Sequence, residues 1–159
     1  MTVTQSTKLD AVSQRLLRLS HLCDSGYALA IHIRYTRPSL LYRTYGQDWI
    51  DTYSERGFML SDPVVVWGLG KTGAINWADL ADQDPEGVLT AARAHGLHNG
   101  WTYATGPATS RTIAGLTKTG ADFTADQRAE ISTIVDEIHA LTEGLDALDA
   151  AEQEALRAL

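Results

Sequence analysis

At 159 residues and 44% hydrophobic content, the chain is long enough to bury one core and too short for two ordinary domains, so a single domain is expected. No run approaches the ~18 apolar residues of a membrane span, and the opening MTVTQSTKLD lacks the basic-then-apolar layout of a signal peptide, which points to a cytoplasmic protein without membrane contact. Charge is uneven: residues 1–120 hold 11 Lys and Arg against 10 acids, and residues 121–159 hold 2 against 10, so the C-terminal segment would repel phosphate and offers no DNA-binding face.

In chain order, Leu9, Val12, Leu16, Leu19 and Leu22 recur at helical spacing up to a stop at Asp24-Ser25-Gly26. Cys23 is then a small core residue at a helix end, and as the one cysteine it leaves no disulfide framework or multi-cysteine zinc site. Tyr27 to Tyr35 alternates as a strand, Arg37-Pro38-Ser39 is expected to turn the chain, and Leu40 to Tyr45 returns it as a hairpin. Gly46-Gln47 opens a second helix that Gly57 closes, with Trp49 and Tyr53 at i and i+4 on one face and Tyr45 one turn ahead. Pro63 suits a first helical position ahead of VVVWGL, although three valines leave a strand open there. Ala74 to Trp77 is expected to be extended and Pro85 to His95 helical, ended by Gly96. Two strands follow, Trp101 to Thr105 and Arg111 to Thr117, turned at Gly106-Pro107. Thr124 caps the longest amphipathic helix, which is expected to run to about Leu145. Two hairpins and a lone strand with helices between them predict an α+β fold. Its form is an α/β/α sandwich, a five-stranded antiparallel sheet with helices on both faces.

The candidate site is Trp49, Tyr53, Asp62-Pro63 and Trp77, at intervals of 4, 9 and 15 residues. Aromatic walls give apolar area and stacking faces, indole and phenol heads give single donors, and a lone carboxylate gives an acceptor that must be paired once buried. Such a pocket reads a small amphipath carrying an N–H and a carbonyl.

Those residues, written W-x3-Y-x8-D-P-x13-W and followed by Gly96-x3-Gly100, resemble the autoinducer-binding domain of LuxR-type quorum-sensing regulators from about Leu9 to Leu145. The resemblance implies binding of an N-acyl-homoserine lactone. Trp49 would donate to the lactone carbonyl, Asp62 would accept the ligand amide N–H, and Tyr45 and Thr117 would reach the acyl carbonyl or a 3-oxo group. Tyr53 and Trp77 would pack on chain and ring, and Gly100 would mark a place where a side chain collides with neighbouring structure. It also implies a sensor at residues 1–145 and, at 146–159, a linker and the opening of a helix-turn-helix domain. That chain would dimerise with itself or with related regulators, would reach DNA only through a domain absent from these residues, and would use no cofactor, metal or catalytic residue.

Other motifs carry less. Gly68 to Gly73 satisfies G-x-G-x-x-G but has no preceding strand and no following helix, so it is expected to be an exposed loop and not a nucleotide site. His21, His32, His95, His98 and His139 lack metal-ligand spacing and are read as surface or capping residues. Ser110 and Ser132 lack a nucleophile-elbow context. Two rival functions remain at this stage: a hydrolase of such lactones or amides with Asp62 as general base, and a sensor for another amphipathic ligand.

Overall fold

The computed structural model describes residues 3–159. Six helices are α1 (Val3–Leu22), α2 (Gln47–Glu55), α3 (Pro63–Gly70), α4 (Val88–Ala94), α5 (Ala125–Leu141) and α6 (Ala150–Arg157). Five strands, β1 (Tyr27–Arg34), β2 (Arg37–Arg43), β3 (Gly73–Asn76), β4 (Trp101–Thr105) and β5 (Arg111–Leu116), form one antiparallel sheet in the order β2-β1-β5-β4-β3. The expected α/β/α architecture is the observed one.

Strand alternation divides the molecule into two cores. Tyr27, Leu29 and Ile31 of β1, Leu40 and Tyr42 of β2, Trp101 of β4 and Ala114 and Leu116 of β5 pack with Leu16 and Leu19 of α1 and Ile131, Ile134, Val135 and Ile138 of α5. The opposite sheet face carries Ala28, Ala30, Ile113 and Gly115 and is covered by α2, α3 and α4. Between Ala30 and Ile33 the β1–β5 register shifts. One extra residue there reverses the alternation, so Ile31 stays in the α1/α5 core while Ile33 joins Ile113 and Ala104 on the other side. His32 takes the strained position, with φ of 50°.

Local chemistry accounts for most boundaries. Thr124 and Gln127 form a reciprocal capping box at the start of α5, and Gly57 ends the α2 region in the left-handed conformation. The hairpin turns at Tyr35-Thr36, not at Arg37-Pro38-Ser39, with Arg34 paired to Arg37. Tyr35 supplies the positive φ of a two-residue turn, and Pro38 is tolerated because β2 is an edge strand. The valines after Pro63 are helical. Residues Trp77–Gln83 form a 3-10 segment not expected from the sequence, α4 begins only at Val88, and α5 ends at Leu141. Gly68 to Gly73 is an exposed loop only at Lys71-Thr72: Gly68 to Gly70 end α3, Gly73 opens β3, and a Cβ on Gly68 would meet the Ile113 side chain at 2.6 Å.

Residues 146–159 pack on the same body. Leu156 of α6 is buried in the α1/α5 core, and the Tyr42 hydroxyl donates to its carbonyl at 2.6 Å. No helix among the described residues is long and apolar enough to cross a membrane.

Candidate functional site

Between the second sheet face and α2, α3 and α4 lies a cavity of about 440 Å³, and its walls are mostly apolar. Ala28, Ala30 and Gly115 form its floor; Trp49 and Tyr53 enter from α2, Asp62, Val64 and Val65 from the start of α3, and Val88 and Ala92 from α4. Five of the six residues singled out in the sequence line it together: Tyr45, Trp49, Tyr53, Asp62 and Trp77.

Asp62 holds two structural bonds. Its Oδ1 accepts the Val64 N–H at 2.9 Å, capping α3, and its Oδ2 accepts the Tyr53 hydroxyl at 2.8 Å. Burial pushes its carboxyl above the usual range, while those two donors pull the other way. A carboxylate has about four lone-pair sites, and with the Val65 N–H also directed at it, at least one remains for a ligand donor. The Tyr53 and Tyr45 phenols are held well above the ordinary value by burial first, so both stay protonated donors. Tyr45 donates to the Gly115 carbonyl at 3.0 Å.

The two tryptophans have different duties. Trp77 gives its indole N–H to Thr102 Oγ1 at 2.8 Å and is thereby a fixed wall. Its ring lies on Gly100, where a Cβ would come within 1.9 Å of the indole, and its backbone N–H donates to the Gly100 carbonyl at 2.9 Å. The collision expected at Gly100 is with this ring. Trp49 packs among Tyr53, Phe58 and His95 at centroid distances of 5.7, 6.0 and 5.2 Å. No hydrogen bond from its N–H to a protein acceptor is found among the described residues.

Thr117 does not line the cavity. It lies one residue past β5, fully buried, and its hydroxyl donates to the Gly26 carbonyl at 3.0 Å, tying β5 to the turn before β1. Thr102, Phe58 and Arg111 support the site and had no signal in the sequence. Arg111 Nη1 donates to the Gly68 and Lys71 carbonyls at the end of α3, at 3.0 and 2.6 Å.

The histidines divide. His95 caps α4, with Nδ1 bonded to the Ala91 carbonyl at 2.9 Å. His32 and His139 are not surface residues: both are buried, with ring centroids 4.2 Å apart. His32 bonds Ser110 Oγ, the His139 carbonyl and Thr142 Oγ1, and His139 Nδ1 bonds Thr112 Oγ1. The pair fastens the bulge of β1 to the end of α5. Among the described residues no group of three or more His, Cys, Asp or Glu could hold a metal ion.

An amphipathic cavity on one face of such a sheet is the makeup of a small-molecule binding domain. The autoinducer-binding domain family matches residues 9–143, and the chain belongs to it. Regulatory protein SdiA of Escherichia coli (strain K12) is 32% identical over 79 residues, 48% of this chain and 33% of that protein. A crystal structure of Escherichia coli SdiA superimposes with a TM-score of 0.67 at 22% identity, covering 92% of this chain and 63% of that one. CepR2 of Burkholderia cenocepacia, an N-acylhomoserine-lactone-dependent LuxR family transcription factor, gives a TM-score of 0.60 at 12% identity over 89% and 95%. The chain thus spans about a third of the curated relative it matches, and the structural likenesses speak for the fold.

Proposed function

We propose that the cavity binds an N-acyl-homoserine lactone and that this chain is the sensing part of a quorum-sensing transcription regulator. One observation carries the reading: Asp62 is a buried carboxylate with acceptor capacity to spare, and it lines one cavity with Trp49 and Tyr45. A homoserine lactone head has one N–H and two carbonyls. Asp62 would accept the amide N–H, Trp49 would donate to the lactone carbonyl, and Tyr45, turning from Gly115, would donate to the acyl carbonyl. Tyr53 would orient Asp62, and Trp77 would pack on the head group.

The family's role in transcription regulators supports dimerisation and DNA binding through a further domain, in a cytoplasmic protein without a cofactor. The C-terminal stretch 146–159 would lead toward that domain. A second ligand chemistry has an observation of its own, because the relative SdiA has been solved in complex with octanoyl-rac-glycerol. An acylglycerol offers hydroxyl donors to Asp62 in place of an amide N–H.

Calorimetry with both ligand types tests the assignment. Asp62→Asn should cost about 2–4 kcal/mol of lactone affinity and Trp49→Phe about 1–2 kcal/mol. Wild-type affinity in both variants would show that the ligand sits elsewhere, and recovery of hydrolysed lactone by mass spectrometry would make the protein an enzyme.

A further inference from the structure

The cavity has a direction. At one end Tyr45 bonds the Gly115 carbonyl, and Trp77, Tyr53 and Asp62 are grouped nearby. Gly115 pairs with Ala28 at the start of β1. From there the cavity floor follows β1 through Ala30, which pairs with Leu41 and Ile113, to Ile33, which pairs with Pro38. The first two floor positions are alanines and the last is a larger aliphatic, so the wide part of the trough starts beside the polar groups. Exposed apolar side chains line the same cavity: Leu60 is 80% exposed, Val66 60% and Leu41, which pairs with Ala30, 44%. Large aliphatics at these exposures are otherwise few among the described residues, and those that line the cavity give it an apolar opening to solvent.

Resting on the function proposed above, we infer that this site selects long, unbranched acyl chains of about ten to twelve carbons and sets no sharp upper limit on their length. The trough from Ala28 to Ile33 spans five residues of a bulged strand, about 13–16 Å at ~3.3 Å per residue. A zigzag chain built from bonds of about 1.5 Å advances roughly 1.3 Å per carbon, so ten to twelve carbons reach from the polar end to Ile33. Shorter chains leave apolar wall uncovered. Longer ones emerge over Leu60, Val66 and Leu41, where the tail meets side chains and water and not a closed wall.

The test is a titration of the chain with homoserine lactones carrying unbranched acyl groups of 4, 6, 8, 10, 12 and 14 carbons. Affinity should rise about fourfold per methylene up to ten to twelve carbons, the factor that corresponds to ~0.8 kcal/mol per buried CH2. It should then stay level at 14. Ala30→Leu, which fills the trough midway, should cut the ratio of dodecanoyl to hexanoyl affinity at least tenfold. The double variant Leu60→Ser/Val66→Ser lies on the surface and folds regardless; it should lower that same ratio severalfold. Tightest binding at four to six carbons, a collapse at 14, or unaltered ratios in both variants would overturn the inference while leaving lactone sensing intact. Failure of every lactone to bind, with a folded protein by circular dichroism, would instead remove the function on which it rests.

Discussion

Asp62 is the residue on which stability and recognition pull apart. Burial raises its pKa in the fold above the unfolded value of about 3.9, so its contribution to stability is fully present below that value and is lost as pH rises through the folded one. Asp62→Asn removes that loss while Asn Oδ1 can still cap Val64. The variant should therefore melt at or above the wild type at pH 7 without ligand, with the difference shrinking toward pH 4, while lactone affinity falls. A melting temperature well below wild type at pH 7 would contradict this. His139 has the opposite sign. Burial first, and then the neighbouring His32, hold its imidazole below the ordinary range. Stability is then complete above about pH 6.5 and declines as pH falls beneath it, a fall that thermal scans from pH 7 to 5 should register and His139→Asn should flatten. The sequence did not reveal this pair. Strict alternation would have sent His32 to the cavity face, and a bulge leaves no mark in composition. Tyr45, Trp49, Tyr53, Asp62 and Trp77 were legible because rare residue types recur at fixed intervals, whereas Thr117 was carried by the resemblance alone and its hydroxyl is committed to Gly26.

Elements were legible where capping or ring chemistry fixes them. Pro63 after Asp62 starts α3, and Thr124 with Gln127 starts α5. The 3-10 segment at Trp77–Gln83 was not, because no periodicity marks it and its placement depends on the fit of Trp77 to Gly100. That fit makes Gly100→Ala a sharp test at this scale. A methyl group 1.9 Å from the indole must displace the ring, and a cost of about 2–3 kcal/mol is expected in urea unfolding, together with weakened ligand binding. Gly115→Ala is the control for the unfolding measurement alone, since its Cβ would make ordinary contacts of 3.4 Å and beyond although it lines the cavity. At the other end of α3, Arg111→Met leaves the Gly68 and Lys71 carbonyls without their donor and should cost about 1–3 kcal/mol.

For the molecule as a whole, one sheet serves two cores with different duties. The α1/α5 side is filled by large aliphatic and aromatic residues and joined by ion pairs, Arg15 to Glu137 at 2.6 Å and Arg18 to Glu130, whereas the other side holds the cavity. Binding energy and folding energy are therefore separable. Leu156→Ala, on the filled side, should lower stability by about 2–4 kcal/mol in denaturant titration while leaving lactone affinity within about twofold. A large loss of affinity would mean that α6 is coupled to the cavity. The alternation of apolar residues made the two faces readable, but the docking of α6 was not: Leu148 and Leu156 could equally have belonged to a separate unit, and only the Tyr42 bond and the shared core place them.

The extra residue at His32 also constrains which changes in chain length the protein can accept. Removing it would give β1 a regular pleat and leave Ile33 opposite Arg111 of β5, yet β1 would fall one residue out of step with β2, where Ile31 and Ile33 now pair with Leu40 and Pro38, and the His32 contact to His139 would be lost. One deleted codon would thus damage the hairpin and its tie to the end of α5 at once, although nearly every side chain would survive. The exposed turn around Ala108 between β4 and β5 carries no such phase, and it is there that insertions should be accepted without penalty to either core.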